Sequence, residues 1–592
     1  MPPVATRWAA SKTPLRRLAI IGLGLVFVLG AYARLYDIGE KSISHPEMYV
    51  PNIRMPEALS EPRQRLTLTQ VLTGTFSSDT HPPGYYILMY GWTKVFGTGL
   101  FAIRFPSVLL GIASIALLIW LGHLAGERRA AWVAGALLAL NGLHVRWSQI
   151  ARMYSLACFL GLLATVLLLL LAQGRGPRRL LGALYVLVIL AGLGTNVYFW
   201  PLFLTHMVWS FLSAAREKAP LPAVCRVQIL ALILGSFFLA SAAYQSGNTV
   251  AILSKDVLLH ARQYVAFCHL FPVFDLEREP GAASQLQGIL DALLPAARVI
   301  TVLLGVALLI VAARIREASP AAWTGLPGGP STRGWLGAAL LTIVAIQGFI
   351  LVALRYVKPQ PPPTWKLSQA LIVLPPLIAV SGVVCERYWA KISEWMRPHA
   401  QRNWLASSRS VIWLLALFPF GILAAFALLK PILIARGLVV FAPYLLLLLA
   451  LGLVRLASTQ RLVGGAIVVV LLALHAGSLL LYTPALSGEV DFGQFSRALI
   501  PELQPDDTIV LRKNWAVTPI LYYLKADQHR LVEFAKLEKT LRDPATQRVW
   551  LVLLYRDDLT ESAKSALTEF GPVKTVETKR ARALCYARKS RG

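Results

Sequence analysis

The stretch Ser78-Asp79-Thr80-His81-Pro82-Pro83-Gly84-Tyr85-Tyr86 sets a carboxylate two residues ahead of an imidazole and then stiffens the chain with two prolines. A carboxylate so placed can take the proton of an attacking hydroxyl, and the prolines restrict the backbone that carries it. A second stretch, His144-Val145-Arg146-Trp147-Ser148-Gln149-Ile150-Ala151-Arg152-Met153-Tyr154, carries two arginines. Guanidinium is permanently charged and forms paired hydrogen bonds to phosphate oxygens. The same arginines suit contact with lipid headgroups, and both readings stay open on residue type alone. Ahead of both stretches, Asp37, Glu40, His45, Glu47, Glu57 and Glu61 add acid and imidazole. Glu40, Glu57 and Glu61 read as ordinary solvated loop residues. His45, Glu47, Asp79 and His81 are weak candidates for holding a divalent metal, and no other cofactor is suggested. A late segment, Lys430-Pro431-Ile432-Leu433-Ile434-Ala435-Arg436, brings further positive charge, as do Lys358 and Lys366. Such a cluster suits a phosphodiester and its departing phosphate.

The elements that position these residues are membrane spans. The chain has 592 residues, 56% of them hydrophobic and 15% charged. Apolar runs of about 20 residues recur, each long enough to cross a bilayer. About 13 spans are expected, near 18–36, 101–125, 130–143, 154–172, 180–197, 200–214, 227–246, 297–313, 335–354, 368–385, 410–429, 437–454 and 462–482. Arg16 and Arg17 ahead of the first run imitate a secretory signal, but the length of the run and the spans that follow favour an uncleaved first span. The net charge of +28 does not indicate nucleic acid, because most Lys and Arg fall in short loops between apolar runs. With the N-terminus cytoplasmic, every inner loop is basic, and the C-terminus lies outside. The expected location is therefore a multi-pass plasma (inner) membrane. Both motifs then emerge on the outer face, two spans apart.

Four outer segments result: a first loop over 37–100, a second over 247–296, a proline-rich stretch over 355–367, and a polar tail over 483–592. Tyr85, Tyr86, Tyr90, Trp92 and Phe96 suggest surface-lying helices in the first loop. In the tail, 508–512, 531–534 and 549–555 are strand-like, 515–524 and 559–570 helix-like, and 575–588 suits a strand pair. The fold expected is a polytopic α-helical membrane domain over 1–482 with a small extracytoplasmic α/β domain over 483–592. Cys158, Cys225, Cys268, Cys385 and Cys585 show no metal-ligand spacing and no disulfide framework. The spans hold almost no interior Asp or Glu, and no internal repeat is evident, which argues against an ion-coupled transporter.

These residues resemble the bacterial branch of the dolichyl-phosphate-mannose–protein mannosyltransferase family, which has the membrane-embedded C-type glycosyltransferase fold. The resemblance rests on His45-Pro46-Glu47 after the first span, on Asp79-Thr80-His81-Pro82-Pro83-Gly84-Tyr85-Tyr86, on Ala102-Ile103-Arg104-Phe105-Pro106-Ser107, and on Ser148-Gln149-Ile150-Ala151-Arg152-Met153-Tyr154. It is strongest over 40–172. It implies transfer of a sugar from a polyprenyl-phosphate donor to a protein, lipid or cell-envelope glycan acceptor, with inversion and among membrane lipids as further partners. Where the family carries Asp-Glu, this chain reads Pro46-Glu47, so Glu47 is the implied base and Asp79 its alternate. His81, Tyr85, Gln149, Arg152, Lys430 and Arg436 are the implied substrate contacts. Two other readings stand beside this one: a transporter or flippase, and a non-catalytic binder of a lipid-linked sugar.

Overall fold

The computed structural model describes residues 14–55, 64–78, 81–215, 222–245, 365–400, 410–429, 435–481, 491–511, 518–524, 530–554, 559, 561–578 and 581–589. Asp79, Lys430, the second outer loop over 247–296, the spans expected at 297–313 and 335–354, and 355–364 of the proline-rich stretch lie outside the described residues.

The described chain is mostly helical. In order come α1 (Pro14–Leu35), α2 (Leu68–Ser78), α3 (Gly84–Phe96), α4 (Leu100–Leu124), α5 (Arg128–Leu140), α6 (Gly142–Ser148), α7 (Tyr154–Ala172), α8 (Arg178–Leu193), α9 (Phe199–Ala215) and α10 (Ala223–Gln245). After the undescribed stretch come α11 (Trp365–Ala400), α12 (Ser410–Leu429), α13 (Ala442–Thr459) and α14 (Arg461–Leu481). Among the described residues three helices are long and apolar enough to cross a membrane: Leu100–Leu124, Tyr154–Ala172 and Ala442–Thr459. Shorter apolar helices include Ile20–Leu35, Phe199–Ala215, Ala223–Leu239, Ser410–Ala425 and Arg461–Gly477.

Helix α7 is buried along nearly all of its length. A helix apolar on every side belongs at the centre of a bundle, and α4, α8, α9 and the turn Ala435–Val440 surround it. Helix α8 instead turns Leu180, Leu184 and Leu187 outward, an apolar stripe at helical spacing. Two elements differ from expectation. Helix α11 runs for 36 residues, well past the span expected at 368–385, and Trp389 on its extension packs edge-on to Phe211 at 5.9 Å. The third expected span is broken: α5 ends at Asn141, whose ψ of 114° is extended and whose side chain caps α6 by accepting the His144 N–H at 2.9 Å. An asparagine that competes for backbone donors ends one helix and starts the next. The short helix it starts carries His144, Arg146 and Ser148.

The tail forms a five-stranded sheet with strand order β2-β1-β3-β5-β4, built from β1 (Thr508–Leu511), β2 (Arg530–Glu533), β3 (Arg548–Leu554), β4 (Phe570–Glu577) and β5 (Ala581–Arg588). Strand β1 is parallel to β2 and β3, whereas β5 runs antiparallel to β3 and β4. Helix α15 (Phe492–Leu499) precedes the sheet, α16 (Leu537–Arg542) follows β2, and α17 (Glu561–Ala566) follows β3. The expected helix over 515–524 is a 3₁₀ turn, Thr518–Tyr522, within its described part, and α16 was not expected. Residues on β3 alternate between faces. Val549 and Leu551 join Leu537, Leu541 and Leu567 on one side, and Trp550 and Val552 join Phe495 and Leu499 on the other. That second side is continuous with the core of the first loop, where Ile43, Met48, Val50 and Ile53 are buried. The division expected at 482/483 falls in undescribed chain, and the apolar core is shared on either side of it.

One backbone contact fixes where the first motif sits. The Gly84 N–H donates to the Gly194 carbonyl at 2.7 Å, and a Cβ at position 84 would stand 2.5 Å from that oxygen. Only glycine permits this approach to the α8–α9 turn. Gly84→Ala should therefore push α3 off that turn and cost about 1–3 kcal/mol, read as a lower unfolding temperature of the purified protein in detergent.

Candidate active site

The first loop folds around one guanidinium. Arg104, in the first turns of α4, donates from Nε to Glu47 Oε1 and from Nη2 to Glu47 Oε2, both at 2.8 Å. Its remaining donors reach the carbonyls of Ile38 (2.7 Å), Lys41 (2.8 Å) and Ser42 (2.8 Å). Glu47 is fully buried. It also accepts the Ala151 N–H at 2.9 Å, and the Ser44 N–H and Oγ at 3.0 Å each. Local sequence explains part of this. Ser44 precedes the 3₁₀ turn His45–Tyr49, Pro46 stands in its first turn, and Glu47 reaches back to Ser44 as in a capping box. The Ala151 bond ties this turn to the second motif.

Burial alone would raise the Glu47 carboxyl. The Arg104 charge, its two hydrogen bonds and the N–H groups of Ala151 and Ser44 together outweigh it and hold the group below its ordinary value. Glu47 is therefore ionised, and all its donors are in place. With both oxygens engaged by N–H and O–H donors, it is not placed as a metal ligand. Among the described residues no three His, Cys, Asp or Glu side chains gather into a metal site.

Arg152 joins the two motifs. Its Nη1 donates to Tyr86 Oη at 2.6 Å and to the Pro46 carbonyl at 3.3 Å. The residue that breaks the family's acidic pair thus contributes its main chain. Arg65 also packs on Tyr86, its guanidinium 4.1 Å from that ring centre and 5.3 Å from that of Tyr49. Tyr85 is buried, its ring 5.6 Å from that of Tyr86. His81 is nearly buried and meets Tyr154 edge-on at 6.2 Å. His45 meets Tyr49 edge-on at 5.4 Å. Burial, helped by the Arg152 charge, pushes the His45 imidazole down to about 4.

Gln149 points elsewhere. Its amide donates to the carbonyls of Ala33 (2.6 Å) and Tyr36 (3.2 Å) and accepts from Lys41 Nζ (2.8 Å). This geometry staples the end of α1 to the second motif. Arg146 lies over the Trp147 ring at 5.9 Å. Arg436 belongs to the turn Ala435–Val440, which packs on α7. Gly437 lies so close under the Tyr198 ring that a Cβ would overlap it. A buried polar chain fixes that region: Tyr444 Oη meets Thr165 Oγ1 at 2.8 Å, Thr165 Oγ1 meets His206 Nε2 at 3.0 Å, and His206 Nδ1 meets Tyr185 Oη at 3.1 Å. Asp79 and Lys430 lie outside the described residues.

Sequence reasoning missed three residues here: Arg104, Arg65 and Arg34. Arg34 is fully buried and donates to the carbonyls of Gly30, Ala139 and Leu138 and to His144 Nδ1. Arg34 and Arg104 flank apolar runs on the side expected to lie outside, against the positive-inside trend. Arg146 and Arg152, in a segment expected outside, depart from the trend in the same way.

Acid should loosen this site in two steps. Between pH 6.5 and about 4 the unfolded chain takes up a proton at residue 45 that the folded site refuses, so stability present above 6.5 declines through this window. The Glu47 contribution is complete above its ordinary 4.5 and is lost only as pH falls through its lower folded value. Melting temperature followed from pH 7 to 4 should fall by the equivalent of about 3 kcal/mol, and His45→Gln should flatten that fall.

Residues 80–268 match the family model described as dolichyl-phosphate-mannose-protein mannosyltransferase. No curated protein matches the chain. Solved structures similar to it include ArnT from Cupriavidus metallidurans in the apo state, at 14% identity over 97% of this chain and 98% of that one, with a TM-score of 0.38. The oligosaccharyltransferase of Archaeoglobus fulgidus in the apo form is similar at 11% identity over 97% and 74%, with a TM-score of 0.41. The arabinofuranosyltransferase AftD from Mycobacteria is similar at 13% identity over 97% and 41%, with a TM-score of 0.35. The stretch that holds His81, Tyr86, Arg104 and Arg152 is thus similar in sequence to the dolichyl-phosphate-mannose–protein mannosyltransferases, the family its motifs resemble.

Proposed function

We propose that this protein transfers a sugar from a polyprenyl-phosphate-linked donor to an acceptor hydroxyl on the outer side of the membrane. The observation that carries this reading is the convergence on one buried turn: Arg152 spans Tyr86 and the Pro46 carbonyl while Ala151 binds Glu47. Family-matched motifs from two separate segments, 81–86 and 148–154, thereby meet at the first loop. The basic loops support a cytoplasmic N-terminus and an outer C-terminal domain.

In the reaction the acceptor oxygen attacks the anomeric carbon opposite the phosphate. The carbon–oxygen bond to phosphate breaks, and the phosphate leaves with the electron pair. A carboxylate takes the hydroxyl proton. Arg152 faces the growing phosphate charge, with the Arg436 turn and Lys430 as further cations. His81 and Tyr85 are the further substrate contacts in this reading.

The choice of base turns on Glu47. A carboxylate paired with Arg104 and accepting five hydrogen bonds is a weak proton acceptor. This bonding favours Glu47 as the clamp of the loop and leaves Asp79, two residues before His81, as the base. The same lock, with Pro46 in place of an acid, favours one second reading: a site that binds a lipid-linked sugar without turning it over.

The test is a panel of polyprenyl-phosphate sugars presented to the purified protein, with released polyprenyl phosphate and product linkage measured. Transfer predicts release with at least one donor. Binding without release across the panel supports the second reading, and movement across vesicles without cleavage supports a flippase. Asp79→Asn should abolish turnover at unchanged melting temperature. Glu47→Gln should lose turnover and about 3–5 kcal/mol of stability together, because it leaves Arg104 buried without its counter-charge. Loss of turnover alone in Glu47→Gln would return the base role to Glu47.

A further inference from the structure

The first loop has a second attachment, to the C-terminal domain. The Ile43 N–H donates to Tyr523 Oη at 3.0 Å, the Ser42 hydroxyl donates to the Asp491 carboxylate, and the Gly493 N–H donates to Ser42 Oγ at 2.7 Å. The junction is close-packed: a Cβ on Gly493 would come within 3.0 Å of Ser42 Oγ and 3.3 Å of Tyr523 Oη. The neighbouring Tyr522 Oη donates to the Thr98 carbonyl at 3.2 Å, just before α4 begins. Phe492, Phe495 and Leu499, all on α15, are buried in the same core as Ile43 and Met48.

Two consecutive tyrosines of the C-terminal domain therefore grip both halves of the Arg104 site. Tyr523 holds the 42–43 segment, whose Ser42 carbonyl Arg104 binds at 2.8 Å. Tyr522 holds the segment from which the helix of Arg104 starts. From there the contacts are continuous, because Arg104 grips Glu47 and Glu47 accepts the Ala151 N–H beside Arg152. We propose that the C-terminal domain is a working part of the site, with Tyr523 and the Ser42–Asp491 pair acting as a latch that sets the register of the first loop. Tyr523 is a positioning residue: it acts on Arg152 through Ser42, Arg104 and Glu47. A domain that merely rests on the membrane part would need only the apolar contacts of α15, and the latch would be redundant.

The catalytic part of this inference rests on the transferase reading above, and the structural part does not. Tyr523→Phe keeps the ring and removes the acceptor, and Ser42→Ala removes the other half of the latch without touching the ring's packing. Hydrogen exchange on the full-length protein in detergent should rise about three- to tenfold, the worth of one hydrogen bond, in peptides containing Ile43 and also in those containing Ala151. With a donor that supports transfer, kcat should fall by a similar factor with donor KM little changed. Faster exchange confined to residues near 43 in both variants, with 151 unaffected, would overturn the latch. If Tyr523→Phe fails to fold, Ser42→Ala decides alone. If the wild-type protein transfers from no donor, the transferase reading fails and the exchange at 151 still decides this one.

Discussion

Everything around the site depends on how Arg104 is paid its counter-charge. A guanidinium in the first turns of an apolar helix is doubly unfavourable: it is desolvated, and it sits at the positive end of the helix dipole. Glu47 supplies the opposite charge in paired geometry, and the carbonyls of Ile38, Lys41 and Ser42 take the remaining donors. The loop after α1 consequently has no freedom to swing away, because three of its carbonyls and its carboxylate are bound to one planar group. The second motif attaches through Ala151, and the C-terminal domain attaches through Ser42 and Ile43. A buried ion pair thereby sets a register for three segments far apart in sequence, which is the role for which such pairs are best suited.

This has a chemical consequence. The acid that sequence comparison offers as base is the one the fold consumes. Its proton affinity is lowered by the contacts that make it a clamp, so structure and general-base chemistry compete for the same carboxylate. Arg152 is treated differently. Its partners here include a phenol and a peptide carbonyl, Tyr86 and Pro46, and Arg65 stacks on the same phenol ring. These partners fix the direction of the Arg152 guanidinium beside Tyr86.

Much of this was legible in the sequence, for identifiable reasons. Apolar runs bounded by basic loops mark helices such as α4, α7 and α14 to within a residue or two, because length and hydropathy decide membrane elements. Strands β1 to β3 follow from short β-branched runs between turns. The motifs bring His81, Tyr86 and Arg152 to one place, and Glu47 with them. The failures were of two kinds. Where one side chain decides, as when Asn141 ends α5 and caps α6, hydropathy sees only a continuous apolar stretch. Where partners are far apart in sequence, as with Glu47 and Arg104 or Ile43 and Tyr523, no local pattern announces the pairing. Gln149 shows the same limit: its motif suggests ligand contact, yet the Ala33 and Tyr36 carbonyls occupy its amide.

The late Arg436 segment shows how such distant placement is achieved inside the membrane part. Its turn lies on α7 because Gly437 offers no side chain to the Tyr198 ring, and the next helix is locked by Tyr444, Thr165, His206 and Tyr185 in a buried hydrogen-bond chain. In an apolar interior an unpaired hydroxyl or imidazole costs more than an ordinary hydrogen bond returns. Each member therefore has one low-energy arrangement, and α13 is fixed in height as well as in angle against α7. The top of α7 is Tyr154, directly after the Arg152 motif, and Gly161, against which Tyr444 and Val440 lie, is seven residues below it, about 10 Å along the helix. One rigid helix thus carries both the arginine motif at its end and the seat of the Arg436 turn lower down, so the spacing of the two is set by helix geometry rather than by the loops that bear them.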